Sequence, residues 1–417
     1  MTQQNYDVLV IGGGMVGATL AAALAQKNIK VAVFDRTFPP SFVASDPPDI
    51  RVSALTKASE NILKNVGAWS SMTAMRMCPY RKMAVWEKLS SPFDAISGQW
   101  NKTVFDSANT EFSELGFIVE NRVIQLGLLD NMKKQGVTLF CPAHIISMDM
   151  SGANSSVTLS DGRIITGTLL VGADGANSQV RQKAGLGLDQ QDYQQQCLVA
   201  TVEIENGCQD ITWQAFTATG PEAFLPLPDV NGKSFASIVW YNQPQTVRQL
   251  QNLSDRQFLS TLQSTFPDTL PPLKKLYQRA SFPIARRHAH HYCKKNVVLI
   301  GDAAHTINPL AGQGVNLGLQ DAAWLAEILE TGVQQGRSLG CLSILKEYEM
   351  LRRPENTKMM YIMDAFYHTF SNNYLPLKIL RNIGLGVTGK ITPAVHKVMG
   401  YAMGTSGKQP KLAQRSV

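Results

Sequence analysis

The chain opens on an apolar run, residues 6–11 (YDVLVI), with the β-branched character of a short buried strand. An alanine- and leucine-rich stretch at 18–26 predicts a helix, and residues 31–35 (VAVFD) predict the next strand. The strand signal returns at 169–173 and at 297–300, each time leading into small residues, and a helix is predicted over 315–329. Between residues 190 and 283 the pattern changes. Short alternating runs with aromatics at 198–204, 212–217, 223–226 and 235–240 predict antiparallel strands, and 83–87 predicts one more strand of that sheet. Residues 251–266 read as a helix with Phe258, Leu259 and Leu262 on one face. The stretch 338–404 is mostly helical. Within it Leu377, Leu380, Ile383, Val387, Ile391, Val395 and Val398 recur at helical steps, interrupted by Gly384, Gly386, Gly389 and Pro393. Such a face either meets lipid or a partner protein, or packs as ordinary core. No internal repeat is visible.

The loops after these strands carry the chemistry. Residues 12–17 read GGGMVG between the first strand and its helix, so strand, GxGxxG, helix, strand and acid follow in order. Gly12 permits the tight turn, Gly14 lets a pyrophosphate reach the backbone, and Gly17 lets the helix pack on the strand. The helix N-terminus offers free N–H groups to the phosphates, and Asp35 stands where a carboxylate accepts from ribose hydroxyls. This motif alone leaves NAD and FAD open, since both share the ADP half. Asp174, in the run 172–181 (GADGANSQVR), suggests a polar loop beside a ligand; the competing reading is a strand–turn–helix capped by Asn177 or Ser178. The run 301–318, GDAAHTINPLAGQGVNLG, has four glycines and almost nothing large. Asp302 can hold the hydroxyls of a sugar-alcohol chain. A flat ring fits over Pro309 and against Gly312, Gly314, Val315 and Asn316, where a helix N-terminus stabilises negative charge on the ring edge. A flavin meets this description.

These three motifs together resemble the FAD-dependent aromatic hydroxylases of the para-hydroxybenzoate hydroxylase fold. The resemblance implies that Asp302 binds the ribityl and pyrophosphate region and that Val315 and Asn316 bind the flavin pyrimidine ring. It places Arg51, in 49–55 (DIRVSAL), and Asn121, in 119–122 (VENR), beside the cofactor. The runs 48–55 and 116–123 and the whole third motif are similar to the ubiquinone-biosynthesis branch of the family. Further runs at 74–87, 213–227, 237–241, 286–289 and 370–373 resemble the members that act on a prenylated methoxy-benzoquinol. The likeness extends to about residue 385. It implies hydroxylation of the ring of a prenylated benzoquinol, with NAD(P)H reducing FAD and O2 supplying the oxygen through a C4a-hydroperoxyflavin. Rival readings are hydroxylation at another ring position in the same pathway, and a non-catalytic FAD-binding scaffold in a quinone-synthesis assembly. A halogenase is disfavoured because its WxWxIP signature is absent.

The expected fold is α/β: a discontinuous Rossmann-like FAD-binding domain (1–75, 102–188, 285–337), an inserted, mainly antiparallel substrate domain (76–101, 189–284), a C-terminal helical region (338–404) and a disordered tail (405–417). Phe224, Leu225 and Pro226 are candidates to line a dry substrate site. No catalytic base stands out. Arg51, as an electrostatic anchor, and His305 are the candidates, with helix capping and a structural hydrogen bond as the other roles for His305. Residues 286–291 (RRHAHH) carry three histidines with no carboxylate or cysteine motif nearby, so no metal site is expected.

Composition adds bounds. The 417 residues suffice for two domains, and the net charge of +7 with a pI near 9.0 suits an anionic cofactor or membrane surface. No basic-aromatic stripe points to nucleic acid. The six cysteines are scattered without CxxC spacing, which predicts free thiols in a reducing compartment. Neither a signal peptide nor a membrane span is read in the pattern. The expected location is cytoplasmic, with peripheral contact at the inner face of the membrane through the C-terminal helices. Other ubiquinone-biosynthesis proteins are the expected partners.

Overall fold

The computed structural model describes residues 4–88, 102–308, 312–370, 400 and 403–415. Its first half contains β1 (Gln4–Ile11), α1 (Met15–Ala25), β2 (Val31–Phe34), β3 (Val52–Thr56), α2 (Lys57–Asn65), α3 (Trp69–Met75), β4 (Cys78–Tyr80), β5 (Lys82–Glu87), β6 (Thr103–Asp106), β7 (Gly116–Glu120), α4 (Asn121–Lys134), β8 (Thr138–Phe140), β9 (Ile145–Asp149), β10 (Ser155–Leu159), β11 (Ile164–Gly172) and α5 (Gln179–Ala184). Then come β12 (Leu188–Ile204), β13 (Ile211–Thr217), β14 (Gly220–Val230), β15 (Lys233–Asn242), α6 (Pro244–Asn252), α7 (Asp255–Thr265), β16 (Leu273–Ala289), β17 (Cys293–Lys294), β18 (Val297–Leu299), β19 (His305–Thr306), α8 (Gln313–Gln334) and α9 (Leu342–Phe370).

The first sheet has the spatial order β17-β18-β11-β1-β2-β8, with β10 and β9 continuing from β11. Strands β18, β11, β1, β2 and β8 run parallel, and they are Val/Leu-rich because helices cover them. Helix α1 is buried nearly all round, which its alanines permit. A second sheet, β19-β16-β12-β15-β14-β13-β5-β6, is antiparallel except for β13 beside β5. One face of it packs Leu198, Ala200, Trp213, Phe224, Ile238 and Trp240 against α6 and α7. The opposite face turns toward the first sheet. A small antiparallel sheet, β3-β7-β4, stands between the two.

The expected α/β class with an inserted antiparallel sheet describes this architecture. Several local expectations differ. The helix expected over 251–266 starts later, as α7 at Asp255, because Ser254 caps it with a capping box to Gln257, and residues 251–252 end α6 instead. Strands β12 and β16 are 17 residues each and pair along nearly their whole length. The polar half of β12 (LDQQDYQQQ) shows no alternation, and its strand conformation comes from the ladder with β16. That strand also crosses the residue 284/285 boundary drawn from the pattern. The expected disordered tail is a correction. Residues 411–413 form a 3-10 turn, Ala413 is buried, and the amides of Asn61 and Asn65 donate to Ala413 O (2.9 Å) and Leu412 O (2.8 Å). Two small apolar side chains and two side-chain amides suffice to dock it. The helical steps at 377–398 lie outside the described residues. Among those described, no helix is long and apolar enough to cross a membrane.

Candidate cofactor and substrate site

The glycine loop after β1 is shaped by contacts that exclude side chains. A Cβ at Gly12 would meet Ala173 O at 2.3 Å, and one at Gly17 would meet Gly12 O at 2.0 Å. Gly12 also holds φ +103°, a left-handed value suited to glycine. Gly14 is different: nothing lies within 4 Å of its Cβ position. The protein needs no glycine there for its own packing, whereas an approaching phosphate does. The Asp35 carboxylate accepts from Gly13 N (2.7 Å) and Arg36 N (2.7 Å), so it braces the loop as well as facing the β2 end.

Two further loops converge on this one. Gly301 and Gly318 both press on Val16 of α1, where a Cβ at Gly318 would come to 2.5 Å. Buried Arg181 donates to Ala303 O (2.7 Å) and Ala176 O (2.9 Å), tying the loop after β11 to the loop after β18. Asp174 is half-buried, and its carboxylate accepts from Ser178 Oγ (2.5 Å), Gln179 N (2.7 Å) and Val180 N (3.2 Å), serving the start of α5 with Ser178 as the N-cap. Of the two residues offered as caps, Ser178 is the one that caps α5, and the Asp174 carboxylate supports the same turn.

Asp302 combines two properties. Its side chain reaches solvent, yet the protein around it strips enough water to raise its carboxyl pKa above the ordinary range, with His305, Arg51 and Arg287 pulling it back. That combination describes the wall of a recess. Arg51 is exposed, and its guanidinium has no carboxylate within ion-pair distance among the described residues. Its backbone is fixed by Asn121 N donating to Arg51 O (2.9 Å), and Asn121 Oδ1 accepts from Ser53 Oγ (2.6 Å). Glu120 accepts from Arg76 and from Asp49 N (2.8 Å), and Arg76 also holds Asp46 O (2.7 Å). The proline-flanked loop before Arg51 is thereby pinned.

Helix α8 begins beside this strand. Gly312 caps it at φ +61°, and the first-turn N–H groups, Gly314 and Val315 included, have no partner within the helix. Nothing lies within 4 Å of a Cβ at Gly314. The Asn316 side chain is fully engaged: it accepts from Thr56 N (3.1 Å) and Ser59 Oγ (2.7 Å) and donates to Ala54 O (2.9 Å) and Gly312 O (3.0 Å). It fastens the helix start to β3, so any contact from Asn316 to a ring is through the backbone. Pro309 lies outside the described residues.

His305 is 1% exposed and bonds Asp321 Oδ2 at 2.5 Å. Asp321, wholly buried, also accepts from Gly301 N (3.1 Å), Arg352 Nε (2.8 Å) and Asn356 Nδ2 (3.1 Å). Burial pushes this carboxyl up, but His305 and Arg352 outweigh that and hold it well below the usual carboxylate range. Tyr292 and His288 extend the network (2.9 Å between them), and burial lowers His288 to about 4. Of the roles open to His305, the structural hydrogen bond is the one observed, behind the Asp302 loop rather than facing the recess. Sequence patterns missed Asp321, Arg352 and Asn356. The available signal was a lone acid among apolar residues on α8.

Among the substrate candidates, Phe224 is a correction. It stacks on Trp213 (5.6 Å) in the core under α6 and α7, and Pro226 shares its face by strand alternation. Leu225 points the other way, with Val52 and Ala54 of β3. The inward face near α8 gathers Cys197, Val199, Val239 and Tyr241 with Ile307, Leu317 and Met359, Met360 and Met363 of α9. The Tyr241 hydroxyl and both amide atoms of Asn308 are buried there or beside it without a partner among the described residues.

The family model described as FAD binding domain matches residues 5–361. The chain is 40% identical over 407 residues to the 3-demethoxyubiquinol 3-hydroxylase of Escherichia coli (strain K12), covering 97% of this chain and 100% of that one. The chain belongs to the FAD-dependent ubiquinone hydroxylases. Another relative is the human mitochondrial ubiquinone biosynthesis monooxygenase COQ6, 32% identical over 450 residues, covering 96% and 93%. The p-nitrophenol 4-monooxygenase of Pseudomonas putida DLL-E4 shares the fold, with a TM-score of 0.76 at 18% identity over 97% of this chain and 100% of that one. As a ubiquinone hydroxylase the chain is a flavin-dependent aromatic monooxygenase with FAD as cofactor. Its residues fit that group: open space at Gly14 and Gly314, a recessed Asp302, an unpaired Arg51 and two helix N-termini.

Proposed function

We propose that this hydroxylase acts on the ring of a prenylated 3-methyl-6-methoxy-1,4-benzoquinol, taking NAD(P)H and O2 as co-substrates. The carrying observation is the Tyr241 hydroxyl, buried and unpartnered in an otherwise apolar wall beside the start of α8. A buried hydroxyl without a partner costs about 1–3 kcal/mol, and a quinol oxygen relieves that cost. Asn308, with a donor and an acceptor both unpartnered, suits a second ring oxygen or methoxy group.

Each part of the site has a role in this reading. Gly12, Gly14, Gly17 and the α1 N-terminus hold the pyrophosphate, Asp35 the ribose, and Asp302 the ribityl chain. Arg51 and Asn121 flank the ring, and the first-turn amides of α8 at Gly314, Val315 and Asn316 face its pyrimidine edge. FAD bound there supplies the redox and oxygen-transfer chemistry. Leu225, Val199, Val239 and the α9 methionines keep water away and adapt to an apolar substrate. The substrate's prenyl chain resides in a membrane, and α9 exposes Met350, Tyr361 and Phe366. Those side chains support contact with lipid or with another protein of the pathway.

The test is NAD(P)H oxidation by FAD-loaded protein with a short-chain 3-methyl-6-methoxy-1,4-benzoquinol. Demethylated and demethoxylated analogues run in parallel, with mass analysis of products. Gain of one oxygen from the first substrate alone supports the assignment. Gain from another analogue moves the ring position, and peroxide with no oxygenated product from any analogue removes the substrate.

A further inference from the structure

Six free cysteines are present, and one pair of thiols is in contact. Cys78 Sγ and Cys208 Sγ are 3.7 Å apart although 130 residues separate them in sequence. Cys78 is on β4, 2% exposed, among Tyr80, Ile118, Leu227 and Phe235. Cys208 lies in the exposed connection between β12 and β13, its thiol against Leu227 O (3.3 Å). The two backbones are already held together, because Arg81 N and Lys82 N donate to Asp210 O at 2.7 and 3.1 Å.

We propose that Cys78 and Cys208 form a reversible disulfide when the protein meets hydrogen peroxide, stapling the small sheet to the substrate sheet. A disulfide has its sulfurs about 2.05 Å apart, so the thiols must close the remaining gap by side-chain rotation while the Arg81–Asp210 contacts hold the chains in place. The two thiols have different tasks. Cys208 is reachable, and the hydrogen bond from Cys78 holds its pKa below the ordinary thiol value against burial and the nearby Asp229 and Asp210. Cys78, screened from solvent, stays protonated and resolves the reaction.

The steps balance. Cys208 thiolate attacks peroxide: an S–O bond forms, the O–O bond breaks, and hydroxide leaves and takes up a proton as water. The sulfur is oxidised to sulfenic acid and the peroxide is reduced. The Cys78 sulfur then attacks the sulfenyl sulfur, the S–S bond forms, the S–O bond breaks, and the leaving hydroxide takes up the Cys78 thiol proton and departs as a second water. Overall two thiols and one peroxide give one disulfide and two waters. The proposed monooxygenase activity offers a local source of peroxide, since turnover without hydroxylation releases it. Only that source rests on the functional reading; the thiol chemistry does not.

The other thiols supply controls. Cys197 and Cys293 are buried, with burial pushing both thiols up. The Cys341 thiol is held below the ordinary thiol value by Ser343 and Arg337, but it has no thiol neighbour. The experiment exposes full-length protein to one equivalent of added hydrogen peroxide, then measures intact mass and maps non-reduced peptides. The expected result is loss of two hydrogens, one peptide pair joining Cys78 to Cys208, and full reversal by dithiothreitol. Cys208→Ser should abolish the mass loss, and Cys341→Ser should leave it unchanged. The proposal is overturned if Cys208 instead accumulates sulfinic acid, or if wild type and Cys208→Ser lose hydrogens equally. An inactive enzyme that still forms the bond would count against the functional reading alone.

Discussion

Replacing Asp321 by asparagine tests whether the buried network behind the Asp302 loop is an ion pair of consequence. The carboxylate receives four donors: Arg352 Nε and Asn356 Nδ2 on one oxygen, His305 Nε2 and Gly301 N on the other. An amide keeps one acceptor and turns the other into a donor. His305 can adapt by exchanging tautomers, but the Gly301 N–H cannot, and Arg352, with its side chain 6% exposed, retains a full charge with no carboxylate. Breaking a buried pair from one side costs about 3–5 kcal/mol, a large share of an ordinary total of about 5–15 kcal/mol. The assay is urea unfolding of FAD-free protein at pH 7. The pH dependence carries a sign. Asp321 has a folded pKa below its unfolded value of about 3.9, so its contribution is complete above that value and lost as pH falls through the folded pKa. The parent should lose this stabilisation in acid, and the Asp321→Asn curve should be flatter there. Because Gly301 N is released next to Asp302, FAD affinity should also fall, by roughly tenfold or about 1.4 kcal/mol. A variant within about 1 kcal/mol of the parent at pH 7 would refute the argument.

Gly14→Ala should melt like the parent without FAD yet purify with little flavin, whereas Gly17→Ala, with its Cβ 2.0 Å from Gly12 O, should fail to hold the fold; flavin absorbance and thermal melting separate them. Tyr241→Phe removes a buried unpartnered hydroxyl, so it should stabilise the substrate-free protein by about 1 kcal/mol while raising KM and peroxide release. Phe224→Ala should cost about 3–5 kcal/mol by denaturation, with coupling of NADH use to product unchanged in the folded fraction. His288 has a folded pKa of about 4 against 6.5, so stability should fall as pH drops from 6.5 to 4; partial exposure discounts the shift to about 1–2 kcal/mol. His288→Gln should flatten that limb.

What sequence exposed best was local necessity. At Gly12 and Gly17 the chain cannot accept a side chain, and Gly14 leaves open space where we propose the phosphate, so spacing alone displays the loop. The glycines at the start of α8 are legible for the same reason, Gly312 by its left-handed φ and Gly314 by the room it leaves. Roles decided by distant packing are not. Asp174 and Asn316 carry the right chemistry in the right motif, yet their side chains are engaged by α5 and by β3. Strand alternation alone puts the neighbours Phe224 and Leu225 on opposite faces, and only the helices α6 and α7, placed on one of them, decide which face is sealed as core. The Asp321 partners sit 16 to 35 residues away, beyond any helical or strand period. The tail looked disordered because its anchors, Asn61 and Asn65, lie about 350 residues earlier.

The first sheet has a consequence for the order in which a ribosome can deliver a working protein. Strand β1 emerges first, but its parallel partner β11 follows some 160 residues later, Gln4 meeting Ile165, and β11 in turn waits for β18, Leu170 meeting Val297. Until α8 is out, Val16 lacks Gly318 to pack against, and the nucleotide loop is a strand and a helix without a complete floor. Long-range parallel pairing is slow to form and leaves apolar edges uncovered meanwhile. Cofactor capture is therefore a late event in the life of each molecule. A nascent chain halted before α8 should need a chaperone's cover, and free flavin should rescue yield only after that helix has been made.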